Sequence, residues 1–200
     1  MLRLSDWKLV FAAVGLVGVL LFASPVLSIV LHFPSGERFS ELWLLGPEHM
    51  AEGYPFSVSA GESYLVYVGV GNQMGSSVYY GVQVKLRNET DDLPNSTAAM
   101  PSPLPRLYEY RVFLQNGQTW EQPLNFSFSQ VSAGQSSLVI GGLTVNGGTV
   151  SVDKAAEWNS TSNEYSYELF MELWIYNVTV DAFQYHNRFV GIWLNMTATS

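Results

Sequence analysis

The 200-residue chain carries nine Lys and Arg against seventeen Asp and Glu, a formal net charge of −8, and no cysteine. Disulfide staples, a thiolate metal centre and a cysteine nucleophile are thereby excluded, and so is a nucleic-acid partner, which requires clustered Lys and Arg. Charged residues make up 13%, well below the usual ~25%, so hydroxyls, amides or sugar must hydrate the surface.

The first element is apolar. Residues 9–31 read LVFAAVGLVGVLLFASPVLSIVL without a charge, and a helix of that length spans a bilayer core of ~30 Å. Arg3 and Lys8 precede it, and seven basic against sixteen acidic residues follow residue 32. The positive-inside bias predicts a cytoplasmic N-terminus at 1–8, a transmembrane helix at 9–33 and an extracellular part at 34–200, although Asp6 thins that bias. A cleaved signal peptide is the alternative, with an apolar stretch from Leu9 to Ala23 and Val26 and Ser28 before the cut. The run continues apolar through Ile29, Val30 and Leu31, which favours an uncleaved anchor. Pro25 kinks this helix or marks where it nears the outer interface. A cysteine-free exported domain points to an archaeal or bacterial cell.

Beyond Pro34 the apolar period is two. Tyr64, Val66, Val68 and Val70 share one face; so do Val78, Tyr80, Val82, Val84 and Leu86, opposite Gln83, Lys85 and Arg87. Tyr108, Tyr110, Val112 and Leu114 alternate with Glu109, Arg111 and Gln115. Tyr165, Tyr167, Leu169, Met171, Leu173 and Ile175 stand opposite Glu164, Glu168 and Glu172, which are expected to form a solvated face. Val190, Ile192, Leu194 and Met196 close the pattern. Seven or eight such strands predict one antiparallel β-sandwich. VSAGESYLV (58–66) and VSAGQSSLV (131–139) echo each other, each with an Ala-Gly turn before a strand, and read as one turn solution used twice.

Six Asn-x-Ser/Thr triplets occur, at Asn88, Asn95, Asn125, Asn159, Asn177 and Asn195. With eleven Asn in the chain, chance supplies roughly two, and all six follow the apolar segment, so they are expected N-glycan acceptors. Asn125 and Asn195 sit opposite the apolar parity of their strands. Asn88 and Asn95 flank ETDDLP, within a Pro-rich connection at 91–106 expected to be exposed and stiff. Asn177 shares the buried parity and fits only at a strand end or bulge.

Catalytic signals are absent from the pattern. His32, His49 and His186 are widely spaced, with no metal-ligand spacing, and no cofactor is expected. Asp91 and Asp92 read as solvated loop charges, too few for calcium. Trp120, Trp158, Trp174 and Trp193 raise the question of a stacking platform for sugars. Trp174 and Trp193 lie opposite the best apolar stripe of their strands, so that face is either covered within the molecule or binds a partner.

Residues 41–86, ELWLLGPEHMAEGYPFSVSAGESYLVYVGVGNQMGSSVYYGVQVKL, resemble the extracytoplasmic part of the archaeal DUF1616 membrane proteins, through the LLGP strand, the AE-YP turn, the AGE turn and the VGV-N--G strand pair. LQNGQTWEQPLNFSFSQVSAG and YHNRFVGIWLNMT resemble the later strands, while residues of about 141–164 look like an insertion. The resemblance implies an Ig-like extracellular sandwich and an archaeal source. Members typically carry several membrane helices before this domain, where one is expected here. The family's function is unknown, so no catalytic residue transfers. The reading that follows is a non-enzymatic, membrane-anchored surface glycoprotein with a structural or interaction role: a surface-layer contact or accessory subunit meeting a protein partner. The alternative is an extracytoplasmic solute- or glycan-binding module, which predicts a concave aromatic pocket with converging polar groups.

Overall fold

The computed structural model describes residues 7–8, 10–19, 37–161 and 164–197. The chain divides into two compact units, residues 1–38 and 39–200. In the first, residues 10–19 are helical. No helix among the described residues is long and apolar enough to cross a membrane; residues 9 and 20–33 of the expected span, and His32 with them, lie outside the described residues.

The second unit is a mainly β, two-sheet sandwich of ten strands. The first sheet has the order β1 (Phe39–Leu45), β3 (Ser63–Gln73), β6 (Thr119–Ala133), β7 (Ser137–Val145) and β8 (Gly148–Glu157). The second runs β2 (Ser57–Ser59), β10 (Ala182–Thr197), β9 (Tyr165–Asn177), β4 (Val78–Asn88) and β5 (Tyr108–Leu114). All neighbours are antiparallel except β2, which lies parallel to the end of β10. The chain thus crosses from the edge of one sheet to the edge of the other between β1 and β2, in the Ig-like manner.

The alternation of the sequence dictates the core. Val66, Val68, Val70, Tyr80, Val82, Val84, Tyr167, Leu169, Met171 and Leu173 are all fully buried between the sheets, each such side chain contributing roughly 1.5–3 kcal/mol relative to exposure. Two Tyr hydroxyls enter this core with partners. Tyr80 meets Ser40 Oγ at 2.7 Å and donates to Asn72 Oδ1 at 3.2 Å, while Tyr167 donates to the carbonyl of Leu138. Both echoed turns precede strands as expected, with Gly61 at φ +80 leading into β3 and the Gly134 N–H donating to Ser137 O before β7. Gly46 is obligatory for packing, because a Cβ there would stand 1.8 Å from Glu52 O. Residues 141–157 hold the end of β7, a turn at Asn146 and Gly147, and β8; β7 and β8 form the hairpin that ends the first sheet, with a register shift between Ile140 and Gly142.

The strands give the sandwich two ends. β1 begins at one, together with the turns 74–77, 115–118 and 178–181; this is the entry end. The far end holds residues 46–56, the connection 89–107, the turn 134–136 and the link from β8 to β9.

Two expectations need correction. The Pro-rich connection is not simply exposed: Pro94 and Ser102 are buried, and the segment folds back over the outer face of the second sheet. The Asn187 amide, on a bulge of β10, donates to Ser96 O at 3.0 Å, and Ser102 N–H donates to Glu172. For the same reason Glu168 and Glu172 are not a solvated face. Antiparallel pairing sets Gln83 opposite Glu172 and Arg87 opposite Glu168, so the basic side chains of β4 and the acidic ones of β9 share one covered face.

Candidate functional site

The outer face of the second sheet carries the chemistry. From the far end to the entry end, outward positions are Arg87, Lys85, Gln83, Gly81 and Tyr79 on β4, and Glu168, Phe170, Glu172, Trp174 and Tyr176 on β9. Three zones result.

In the middle, Lys85 Nζ lies 2.9 Å from Glu172 Oε2 with side chains 4% and 0% exposed. Lys85 also donates to Ser102 O at 2.8 Å, and Glu172 accepts from Ser102 N–H at 2.7 Å and Trp174 Nε1–H at 3.1 Å. Both Glu172 oxygens and two of the three Lys85 donors thereby find partners, while among the described residues the buried Tyr185 hydroxyl beside them has none. Arg87 Nε donates to Glu168 Oε2 at 2.5 Å, and its Nη1 reaches the carbonyls of Asn88 and Asp91. Trp174 is half-buried, edge-on to Tyr185 with ring centroids 5.9 Å apart. Burial, with the Glu172 charge nearby, pushes the Tyr185 hydroxyl up to about 12. This zone is closed by the chain itself.

Asp91 belongs to the same closure and is not a solvated charge. Its carboxylate pairs with Lys154 of β8 at 2.7 Å and accepts the Asn88 N–H at 3.0 Å. Burial acts to raise its pKa, but Lys154 and that N–H together hold it below 3.8.

At the far end a groove of about 480 Å³ opens beside Trp193, lined by Phe56, Glu89, Glu164, Ser166 and Asn195 among others. Trp193 is 41% exposed, and the Arg87 guanidinium sits 4.6 Å from its ring centroid. At the entry end the rings of Tyr79, Tyr176 and Phe183 cluster with centroids 5.2 to 6.0 Å apart, and Arg111 stacks on Phe183 at 5.1 Å. Phe113 is 63% and Val178 82% exposed beside them. The aromatic face thus divides into a part covered within the molecule, around Trp174, and parts left open.

The four Trp raised as a stacking platform are dispersed. Trp120 is on the first sheet, edge-on to Tyr110, and Trp158 is edge-on to Tyr165. His49 stacks on Tyr67 with centroids 3.8 Å apart and meets Glu121 at 2.6 Å. Trp43 Nε1–H and then His49 lower the Glu121 pKa. His186 is held below 6.5 by burial and by Arg188. Among the described residues no three His, Asp or Glu side chains form a metal-binding group.

The six sequon asparagines differ. Asn88, Asn95, Asn159 and Asn177 each accept, through Oδ1, the N–H of the Thr two residues on. Asn177 ends β9 at the entry end, which resolves its parity. Asn88, Asn159 and Asn177 also use Nδ2 as a donor, to Ala155 O, Glu89 Oε1 and Gln184 Oε1. Asn95 and Asn125 are exposed, and Asn195 is half-buried in the wall of the far-end groove. The closure by residues 89–107 and the groove were not readable from strand parity, because both depend on where a long connection lands.

A family model described as a domain of unknown function, DUF1616, matches residues 34–138. No curated protein matches the sequence. Among solved structures, the CARDB domain of a Pyrococcus furiosus protein in complex with di-metal ions is similar at 11% identity and a TM-score of 0.41, over 81% of this chain and 90% of that one. A β-glucosidase from Listeria innocua in complex with glucose is similar at 12% identity and a TM-score of 0.39, over 80% of this chain and 16% of that one. The chain therefore spans about a sixth of the glucosidase, and no functional weight rests on these likenesses.

Proposed function

The chain belongs to the DUF1616 family, and from that premise we propose that it is a membrane-anchored, N-glycosylated archaeal cell-surface protein that docks a protein partner in a surface or membrane assembly. The uncharged run 9–31 supports the anchor, with its N-terminus cytoplasmic and the sandwich extracellular. Low charge and six sequons support glycans as the source of surface hydration. The proposal assigns no catalytic residue, cofactor or nucleic acid.

One observation carries the docking role: the exposed Phe113 and Val178 beside the half-buried rings of Tyr79, Tyr176 and Phe183, with Arg111, at the entry end. Monomeric surfaces rarely leave rings contiguous and uncovered, and Tyr, Phe and Arg are the types enriched in interface centres. A photo-crosslinking residue at position 113 tests this in the full chain in native membranes. The expected result is one discrete protein adduct from position 113 and none from position 122, an exposed site on the other sheet. Equal adducts from both positions, or none from either, would overturn docking at this face. Glycopeptide mapping of the same sample reports the sequons independently.

The far-end groove favours a second reading, a glycan-binding module, because an exposed indole and two carboxylates converge there.

A further inference from the structure

The far-end groove has an occupant within reach on its own wall. We infer that it seats the first sugars of a glycan attached to Asn195, so that the chain fills its sugar site with its own carbohydrate. This rests on the glycosylation proposed above.

Geometry comes first. Ile192, Leu194 and Met196 point into the core, so Trp193 and Asn195 share the outward face of β10, roughly 7 Å apart at the strand repeat. A sugar bonded to Asn195 Nδ2 and lying back along the strand covers the indole. The platform is rigid: Arg87 lies 4.6 Å from the ring centroid of Trp193 and is itself locked to Glu168 at 2.5 Å. A preset ring stacks on the apolar face of a pyranose without first losing rotamer freedom.

Groove chemistry agrees. Around the indole stand the Glu89 and Glu164 carboxylates and the Ser57 and Ser166 hydroxyls. Carboxylates only accept hydrogen bonds when ionised, and sugar hydroxyls donate them. Among the described residues no Lys or Arg lines the groove, and Arg87 against the Trp193 ring is already paired with Glu168, so an anionic ligand meets two carboxylates that a neutral sugar can use as acceptors.

Asn195 is also chemically available. The side-chain nitrogens of Asn88, Asn159 and Asn177 each donate to another residue, whereas among the described residues the Asn195 side chain makes no such bond. Tethering decides between this sugar and a free one. A single stacked sugar binds weakly, but a short tether supplies an effective concentration on the order of millimolar, and the attached sugar physically covers the groove against others.

The test is a thermodynamic cycle on the full chain from a glycosylating host. Asn195→Gln removes the sugar and Trp193→Ala the platform; Trp193→Phe keeps a flat ring, and Asn95→Gln is a sequon control. We expect mass mapping to find Asn195 occupied. Asn195→Gln should then lower Tm by about 2–4 °C in the wild-type and Trp193→Phe backgrounds and leave it unchanged in Trp193→Ala, while Asn95→Gln has one effect in all three. Equal losses on Asn195→Gln in every background would overturn the seat while leaving the glycoprotein reading standing. An unmodified Asn195 beside an occupied Asn95 also overturns the seat alone. No sugar on any sequon would overturn both.

Discussion

The middle and the entry end of one sheet face treat unusual side chains in opposite ways. Around Lys85 and Glu172, residues 89–107 fold back as a built-in partner and remove two charges from water. Around Phe113 and Val178, beside the half-buried Tyr176, apolar side chains stay exposed. The asymmetry follows from cost. An unpaired buried charge costs several kcal/mol, so a fold that buries one must complete the contact itself. An exposed ring costs little and can wait for a partner supplied from outside. The middle zone is therefore an interface finished within the chain, and the entry end is one left unfinished.

The sharpest way to break this comparison is to remove one member of the buried pair. Glu172→Leu strands Lys85 and leaves Ser102 N–H and Trp174 Nε1–H without their acceptor, so urea unfolding at neutral pH should show a loss of about 3–5 kcal/mol. Lys85→Met should cost a similar amount. The double variant Lys85→Met/Glu172→Leu should recover much of the loss, since no charge is then stranded, though Ser102 and Trp174 still lack their acceptor. Strictly additive losses would mean that the pair is not coupled, and the middle zone would lose its claim to be a completed interface.

A smaller effect tests the edge of that closure. Lys154 and the Asn88 N–H hold the Asp91 carboxyl below 3.8 against the opposing effect of burial. A depressed carboxyl stabilises the fold fully above its unfolded pKa, and that contribution is lost as pH falls through the folded pKa. The urea midpoint should therefore drop as pH is lowered from about 5 to about 3. Asp91→Asn should flatten part of that drop, because the group no longer titrates. An identical pH slope in both proteins would show that Asp91 is not fastened in the folded state.

The same contrast explains what could be read in the sequence. Strand parity alone placed Val82, Leu169 and Ile192 inward, because a period of two leaves no choice of face once one side is apolar. It also placed Asn125 outward and left Asn177 to a strand end or a bulge. It misjudged Glu168 and Glu172, since parity says which face a residue takes and not what later covers that face. Covering was decided by a Pro-containing connection with no apolar period, whose anchors are the backbone of Ser102 and the carbonyl of Ser96. Main-chain anchors leave no mark in residue type. Trp193 and Asn195 were visible separately, but their groove draws on Phe56, Glu89 and Glu164 from three other segments.

The smallest stability effect belongs to the entry end, where its smallness is the evidence. Phe113 and Val178 are 63% and 82% exposed, so Phe113→Ser and Val178→Ser should each change unfolding free energy by no more than about 0.5 kcal/mol. Their effect should instead appear in association. An open apolar patch without its partner drives self-association, so the purified wild-type chain should sediment as a concentration-dependent mixture, and the double variant should shift toward monomer. Asn177 borders the same patch, adjacent in sequence to Val178. A sugar there would screen one edge, and Asn177→Gln should increase self-association where that sequon is occupied. Suppose instead that Phe113→Ser cost as much stability as Glu172→Leu. Phe113 would then be finished within the chain like the middle zone, and no partner would be needed to explain it.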